Sequence, residues 1–212
     1  MTGIPSKNMK LLRFGGFCGI LGSVLAVILV LIATVLSPWF RWENNALSEL
    51  GVGEVSLLFN SAMLIGGVFT FFFALGIREY LDGNRLIRVG VNLIIISSVF
   101  LALVGIFTVD MMLLHGIVSL GPLILTPFGF ILIGFGNEEA KIRKLSIWSG
   151  VAALVSILIL PIIFLFFPFK FGFAVPEIIN TIIITVCIFG MGIKLIKHKV
   201  KDDRKDASGK NL

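Results

Sequence analysis

The chain has 212 residues, 57% of them hydrophobic and only 14% charged, with a mean hydropathy of +1.05. Soluble domains carry about 25% charged residues; a chain this apolar cannot clothe a water-facing surface, so a soluble globular fold is excluded and the bilayer is its natural solvent. The net charge of +6 could suggest a nucleic-acid partner, but its distribution along the chain points to membrane topology instead.

A spanning helix needs about 20 mainly apolar residues. Six stretches qualify, at roughly 14–37, 55–77, 86–108, 112–136, 146–168 and 175–196. They predict an all-α integral membrane bundle of six transmembrane helices over 14–196. A cytoplasmic N-terminus (1–13) precedes it, and a basic cytoplasmic tail (197–212) follows, its composition that of a disordered end.

The first stretch has an apolar core, "ILGSVLAVILVLIATVL", longer than the 7–15 residues of a signal peptide. It ends in Ser37-Pro38-Trp39 without a small-residue cleavage pattern, so a retained helix is expected. Gly15 and Gly19 have the G-x-x-x-G spacing that lets helices approach closely. Cys18 and Cys187 are expected to be packed and unpaired, since a disulfide would need the first and last helices to touch.

Residues 43–51, "ENNALSELG", follow. Asn44 or Asn45 can cap a short helical turn and Gly51 can end it. Ser48 and Glu49 are expected to fold back over the bundle mouth as a lid, with Glu43 left to the solvent. The second stretch carries Ser56 and Asn60 on one face, and the third carries Ser97 and Ser98. A tight turn, "TVDMM", brings Asp110 to the start of the fourth, where His115 and Ser119 are four residues apart. Gly121, Pro122, Pro127 and Gly129 come next, and two prolines in one span predict a bend. In the sixth, Glu177, Asn180, Thr181 and Thr185 make one polar stripe.

Orientation follows from lysine and arginine. Sixteen of the 18 lie in the N-terminus, the second-to-third and fourth-to-fifth connections, and the tail; Arg41 and Lys170 are the other two. Both termini are therefore expected in the cytoplasm of a multi-pass cell-membrane protein. Glu43, Glu49, Glu54, Asp110 and Glu177 give the opposite face a net negative charge. Trp39 and Trp42 suit the outer interface and Trp148 the inner one.

Polar groups near or within spans are informative, because an unsatisfied one in lipid costs several kcal/mol. Ser48, Glu49, Asn60, Asp110, His115, Ser119, Glu177 and Asn180 converge toward the outer end. Together they predict an outward-facing acidic pocket for a small polar or cationic ligand. Each also has a plainer reading. Asp110 and Glu177 sit at helix starts, where an acid is stabilising. Serines and threonines can bond carbonyls one turn back. Asn60 can be interhelical glue worth about 0.6 kcal/mol. No zinc spacing, haem histidine pair, nucleotide loop or serine-hydrolase elbow is present, so no metal and no cofactor is expected.

"NALSELG" after the first span, "FNSAMLIGG" in the second and "GIFTVDMMLLHGIVSLG" across the third-to-fourth turn resemble one family. It is the prokaryotic multi-pass membrane family known as domain of unknown function 998. The resemblance covers roughly 14–196. It implies the same span count and points to Ser48, Gly51, Asn60, Asp110 and His115, without implying a reaction.

Three function classes follow. One is a binding or transport protein. The second is a membrane-embedded hydrolase or lipid-modifying enzyme, with His115 and Asp110 or Glu49 as base and orienting acid. The third is an accessory subunit. No charged residue falls at mid-depth, which weighs against an ion-coupled pump. Membrane lipids and a small polar or lipid ligand are the expected partners; nucleic acid is not.

Overall fold

The computed structural model describes residues 7–81, 83–166 and 172–198. The tail from residue 199 and Lys170 lie outside the described residues. Helix α1 (Met9–Val35) starts at Asn8, whose side chain accepts the Leu11 amide at 3.1 Å. Helix α2 (Ser56–Tyr80) precedes α3 (Arg85–Val104), which starts at Asn84 by the same device, accepting from Ile87 at 3.2 Å. The Asn84 amide also donates to the Gly136 carbonyl, tying this end of α3 to the fourth span.

The fourth span is α4 (Met112–Leu120) and α5 (Thr126–Gly136), joined by a π-helical turn over Gly121–Leu125. Helix α6 (Ala140–Leu158) continues into α7 (Leu160–Phe166), and α8 (Ala174–Lys197) closes the bundle. Two 3-10 turns, Leu47–Gly51 and Val109–Met111, lie in the connections. Among the described residues there is no strand.

Six segments are long and apolar enough to cross a bilayer: Met9–Val35, Ser56–Tyr80, Arg85–Val104, Val109–Gly136, Ala140–Ile163 and Ala174–Lys197. The expected spans are therefore all present, with two informative differences at their ends. The fifth begins at Ala140, because the basic turn before the apolar run stays helical and buries Ile142. The third ends at Val104, where Gly105 lies so close to the Asn60 carbonyl that a Cβ would stand 2.4 Å from it.

The helices form a ring. α1 packs between α2 and α8, α3 between α2 and α5, and α6 between α5 and α8. Small residues set the approach of α1. A Cβ on Gly15 would stand 2.7 Å from the Gly76 Cα, and one on Gly16 2.8 Å from the Gly192 carbonyl oxygen. Gly19 leaves room for the Phe73 ring. Close approach of this kind is what lets helices gain van der Waals contact where lipid offers no hydrophobic drive. Cys18 and Cys187 are both buried and free.

Two apolar clusters fill the ring. One, with Phe73, Ile94, Phe130 and Met191, lies toward the end that carries the termini. The other, with Val30, Leu50, Phe59, Val104 and Val118, lies toward the opposite end, beneath residues 36–55. A cavity opens along the wall of the second.

Candidate functional site

The connection after α1 is held down at several points. Asn45 accepts the Arg41 amide at 2.8 Å and donates to Glu49 at 2.6 Å. The other Glu49 oxygen accepts the Ala46 amide at 2.8 Å. The 3-10 turn Leu47–Gly51 thus begins at Ala46, and its first free amide is met by an acid three residues on, the reciprocal half of a capping box. Asn44 and Asn45 do not cap it; Asn45 is spent on the Arg41 amide. Glu43 is exposed, as its neighbours suggested.

Four further bonds fasten this connection to the bundle. The Leu47 amide donates to Glu177 Oε2 at 2.7 Å, and the Gly172 and Ala174 amides donate to the Trp42 and Asn45 carbonyls at 2.9 Å. Asn60 Nδ2 donates to the Gly51 carbonyl at 3.0 Å. Gly51 must be small here, since a Cβ would stand 2.9 Å from Asn60 Oδ1. Gly53, at φ +84°, makes the left-handed turn into α2 that favours glycine.

Beneath Leu47 and Ser48 is a cavity of about 150 Å³. Its wall is mainly apolar, from Val27 and Val30 of α1, Phe59 and Met63 of α2, Leu101 of α3 and Ile184 of α8. Polar groups interrupt it at Ser48, Ser119, Thr126, Glu177, Asn180 and Thr181. Of the residues singled out in the sequence, Ser48, Ser119, Glu177 and Asn180 therefore lie on the cavity wall. Glu49 and Asn60 hold the segment above it. His115, 8% exposed, sits behind Ser119, with Nε2 3.2 Å from the serine Oγ. Its Nδ1 is 2.7 Å from the Phe107 carbonyl oxygen. Asp110 stands apart: it is exposed and accepts from the Thr108 hydroxyl of its own turn, and it caps no backbone amide at the start of the 3-10 turn or of α4.

Asn180 joins two helices. Its amide donates to the Ala153 carbonyl of α6 at 2.9 Å and to the Leu123 carbonyl of the π turn at 3.4 Å. In an unbroken α-helix the Leu123 carbonyl would accept the amide of residue 127, but Pro127 has none. The bend expected from the prolines thus takes the form of a π turn. It rests on Gly121, where a Cβ would stand 2.2 Å from the Phe100 ring. Just beyond it, the Thr126 and Ser97 hydroxyls share a buried hydrogen bond of 2.6 Å. The Leu123 and Phe107 carbonyls and the Leu47 amide are backbone groups, and no residue type announces them.

The family model described as "Protein of unknown function (DUF998)" matches residues 20–194, which contain the whole cavity and the segment over it. The chain belongs to this family. No curated protein and no solved structure matches it. In this DUF998 protein the matched region also takes in the glycine contacts of α1 with α2 and α8 beyond residue 20, such as Gly22 against Phe69.

Proposed function

We propose that the cavity binds a small amphiphilic molecule, its cationic or hydrogen-bond-donating end against Glu177 and its apolar part between α1, α2 and α8. The observation that carries this reading is Glu177, a carboxylate on a mainly apolar wall with one backbone amide as its partner. A half-buried carboxylate facing an apolar wall gains from more compensation than one amide supplies, and a donor or cation entering the cavity would supply it. Pockets for drug-sized ligands run to about 300–1,000 Å³. A space of about 150 Å³ suits a small molecule, or the end of a longer one.

The apolar wall narrows the expectation of a merely polar ligand. Ser48, Asn180 and Thr181 would share the polar end with Glu177, while Glu49 and Asn60 would act by holding the lid. The cavity mouth is assigned to the outer side of the cell membrane and both termini to the cytoplasm, on the distribution of lysine and arginine.

The test is thermal stability in lipid nanodiscs with matched short-chain amines, alcohols and carboxylates. An amine present at about 100 times its Kd should stabilise the protein by about 2.7 kcal/mol, and the matching carboxylate should not. Glu177→Gln should erase the preference for the amine. A wild-type protein indifferent to every member of the panel overturns the proposal.

A further inference from the structure

Ser119 and His115 form a pair that ligand binding alone does not use. They lie one turn apart on the same face of α4 and point inward, where Met112, Leu113 and Ile117 of the same helix are exposed on its outer surface. The Phe107 carbonyl is beyond the last turn of α3, and as an acceptor only it requires the proton on His115 Nδ1. The tautomer is thereby fixed, and Nε2 presents its lone pair to the Ser119 hydroxyl, which donates to it. A hydroxyl hydrogen-bonded to an imidazole whose other nitrogen is oriented by a third group is the arrangement of an activated nucleophile. Ser119 is also on the cavity wall, beside Pro122 and Leu123.

We propose that Ser119 is the nucleophile and His115 the general base of an acyl-transfer site that hydrolyses an ester-bearing amphiphile held in the cavity; this rests on the ligand-binding reading above. Ser119 Oγ bonds to the acyl carbon and passes its proton to His115 Nε2. The ester C–O bond breaks, and the leaving alkoxide takes that proton. Water then attacks the acyl-serine, giving a proton to Nε2 that returns to Ser119 Oγ as the acid departs. Ester and water become acid and alcohol, with nothing oxidised or reduced. The Phe107 carbonyl is a positioning group. Asp110 and Glu49, the carboxylates considered for that role from sequence, accept hydrogen bonds from Thr108, and from Asn45 and Ala46.

The test uses the full chain in nanodiscs and an alkyl fluorophosphonate, which forms an Oγ–P bond and releases fluoride. Mass analysis of the digested protein should find the adduct on Ser119. Ser119→Ala should abolish it, and His115→Gln should slow it by about 10²–10⁴-fold. Thermal stabilisation by the matching alkyl phosphonate diester, which has no leaving fluoride, reports binding separately. If the diester binds and Ser119 stays unlabelled, or another serine takes the label, the dyad is overturned and the binding site stands. If neither diester binding nor labelling occurs, the dyad falls, while the binding reading stands or falls on the amine, alcohol and carboxylate panel. Labelling of Ser119 at an unchanged rate in His115→Gln removes His115 as base, and Ser119→Ala keeps the test decisive where His115→Gln does not fold.

Discussion

At the scale of single residues, the side chains that matter most here satisfy backbone groups that the helices cannot satisfy themselves. Asn180 is the clearest case, with its amide shared between the Leu123 and Ala153 carbonyls. Asn180→Leu should cost about 1–3 kcal/mol, the penalty for stranding the Leu123 carbonyl, since the Ala153 carbonyl keeps the Ser156 hydroxyl; it is read as a lower thermal midpoint of the purified protein. Glu177 holds the lid through the Leu47 amide. Glu177→Leu removes a charge-assisted bond, of a kind worth about 1.5–3 kcal/mol. In that background a cysteine at Ser48 should react with a soluble maleimide at least several-fold faster than in the wild-type background; an equal rate would mean the latch is held elsewhere. Glu177 and Asn180 were legible in the sequence because polar residues are few in spans and these two share a helical stripe. Their partners were not. Pro127 marks which carbonyl an α-helix would leave free, but only the packing of α8 against the π turn says who answers it. The division of labour was hidden for the same reason. A shared side of the membrane grouped Glu49 with Glu177 in the sequence, and the structure gives one to the turn's own amide and the other to the cavity wall.

At the scale of elements, packing depends on where a side chain is missing. Gly15→Ala would press a methyl onto the Gly76 backbone, which has no rotamer to move. A cost of about 1–3 kcal/mol is expected from overpacking, with α1 displaced from α2. Gly116 is the matched control: a Cβ there would meet nothing within 4 Å. Gly116→Ala should be neutral or stabilising by up to about 1 kcal/mol through helix propensity. Comparing the two thermal midpoints separates crowding from propensity; equal shifts would refute the packing account. The Gly15–Gly19 spacing announced close contact, and hydropathy announced six spans, because both are dense signals over many residues. The ends of α3 and α6 were less legible. A charged turn can stay helical in water, and a helix can stop early where another backbone comes too near.

At the scale of the molecule, the ring of helices and the cavity leave one end closed by the lid and the other carrying both termini. The orientation proposed from the basic residues puts the lid on the outside. Cysteines at Glu54 and Lys141, both exposed, report the two faces, and native Cys18 and Cys187 are buried and should give little background. A membrane-impermeant maleimide added to intact cells should label position 54 and spare position 141. The opposite pattern would invert the protein and place the cavity mouth in the cytoplasm.

The π turn at Gly121–Leu125 ties these scales together. Such a turn takes one residue more than the α-helix around it, and each residue of an α-helix advances the face by about 100°. Excising a single residue there, for instance Ile124, would take out the surplus residue and bring α4 into α-helical register with α5, with the kink at Pro127 remaining. Every side chain on the lid side would then swing by about a quarter turn, carrying His115 and Val118 out toward lipid and drawing their exposed neighbours inward. The inward direction of His115 is thus a matter of counting, written into the chain as one surplus residue several positions away from the histidine itself.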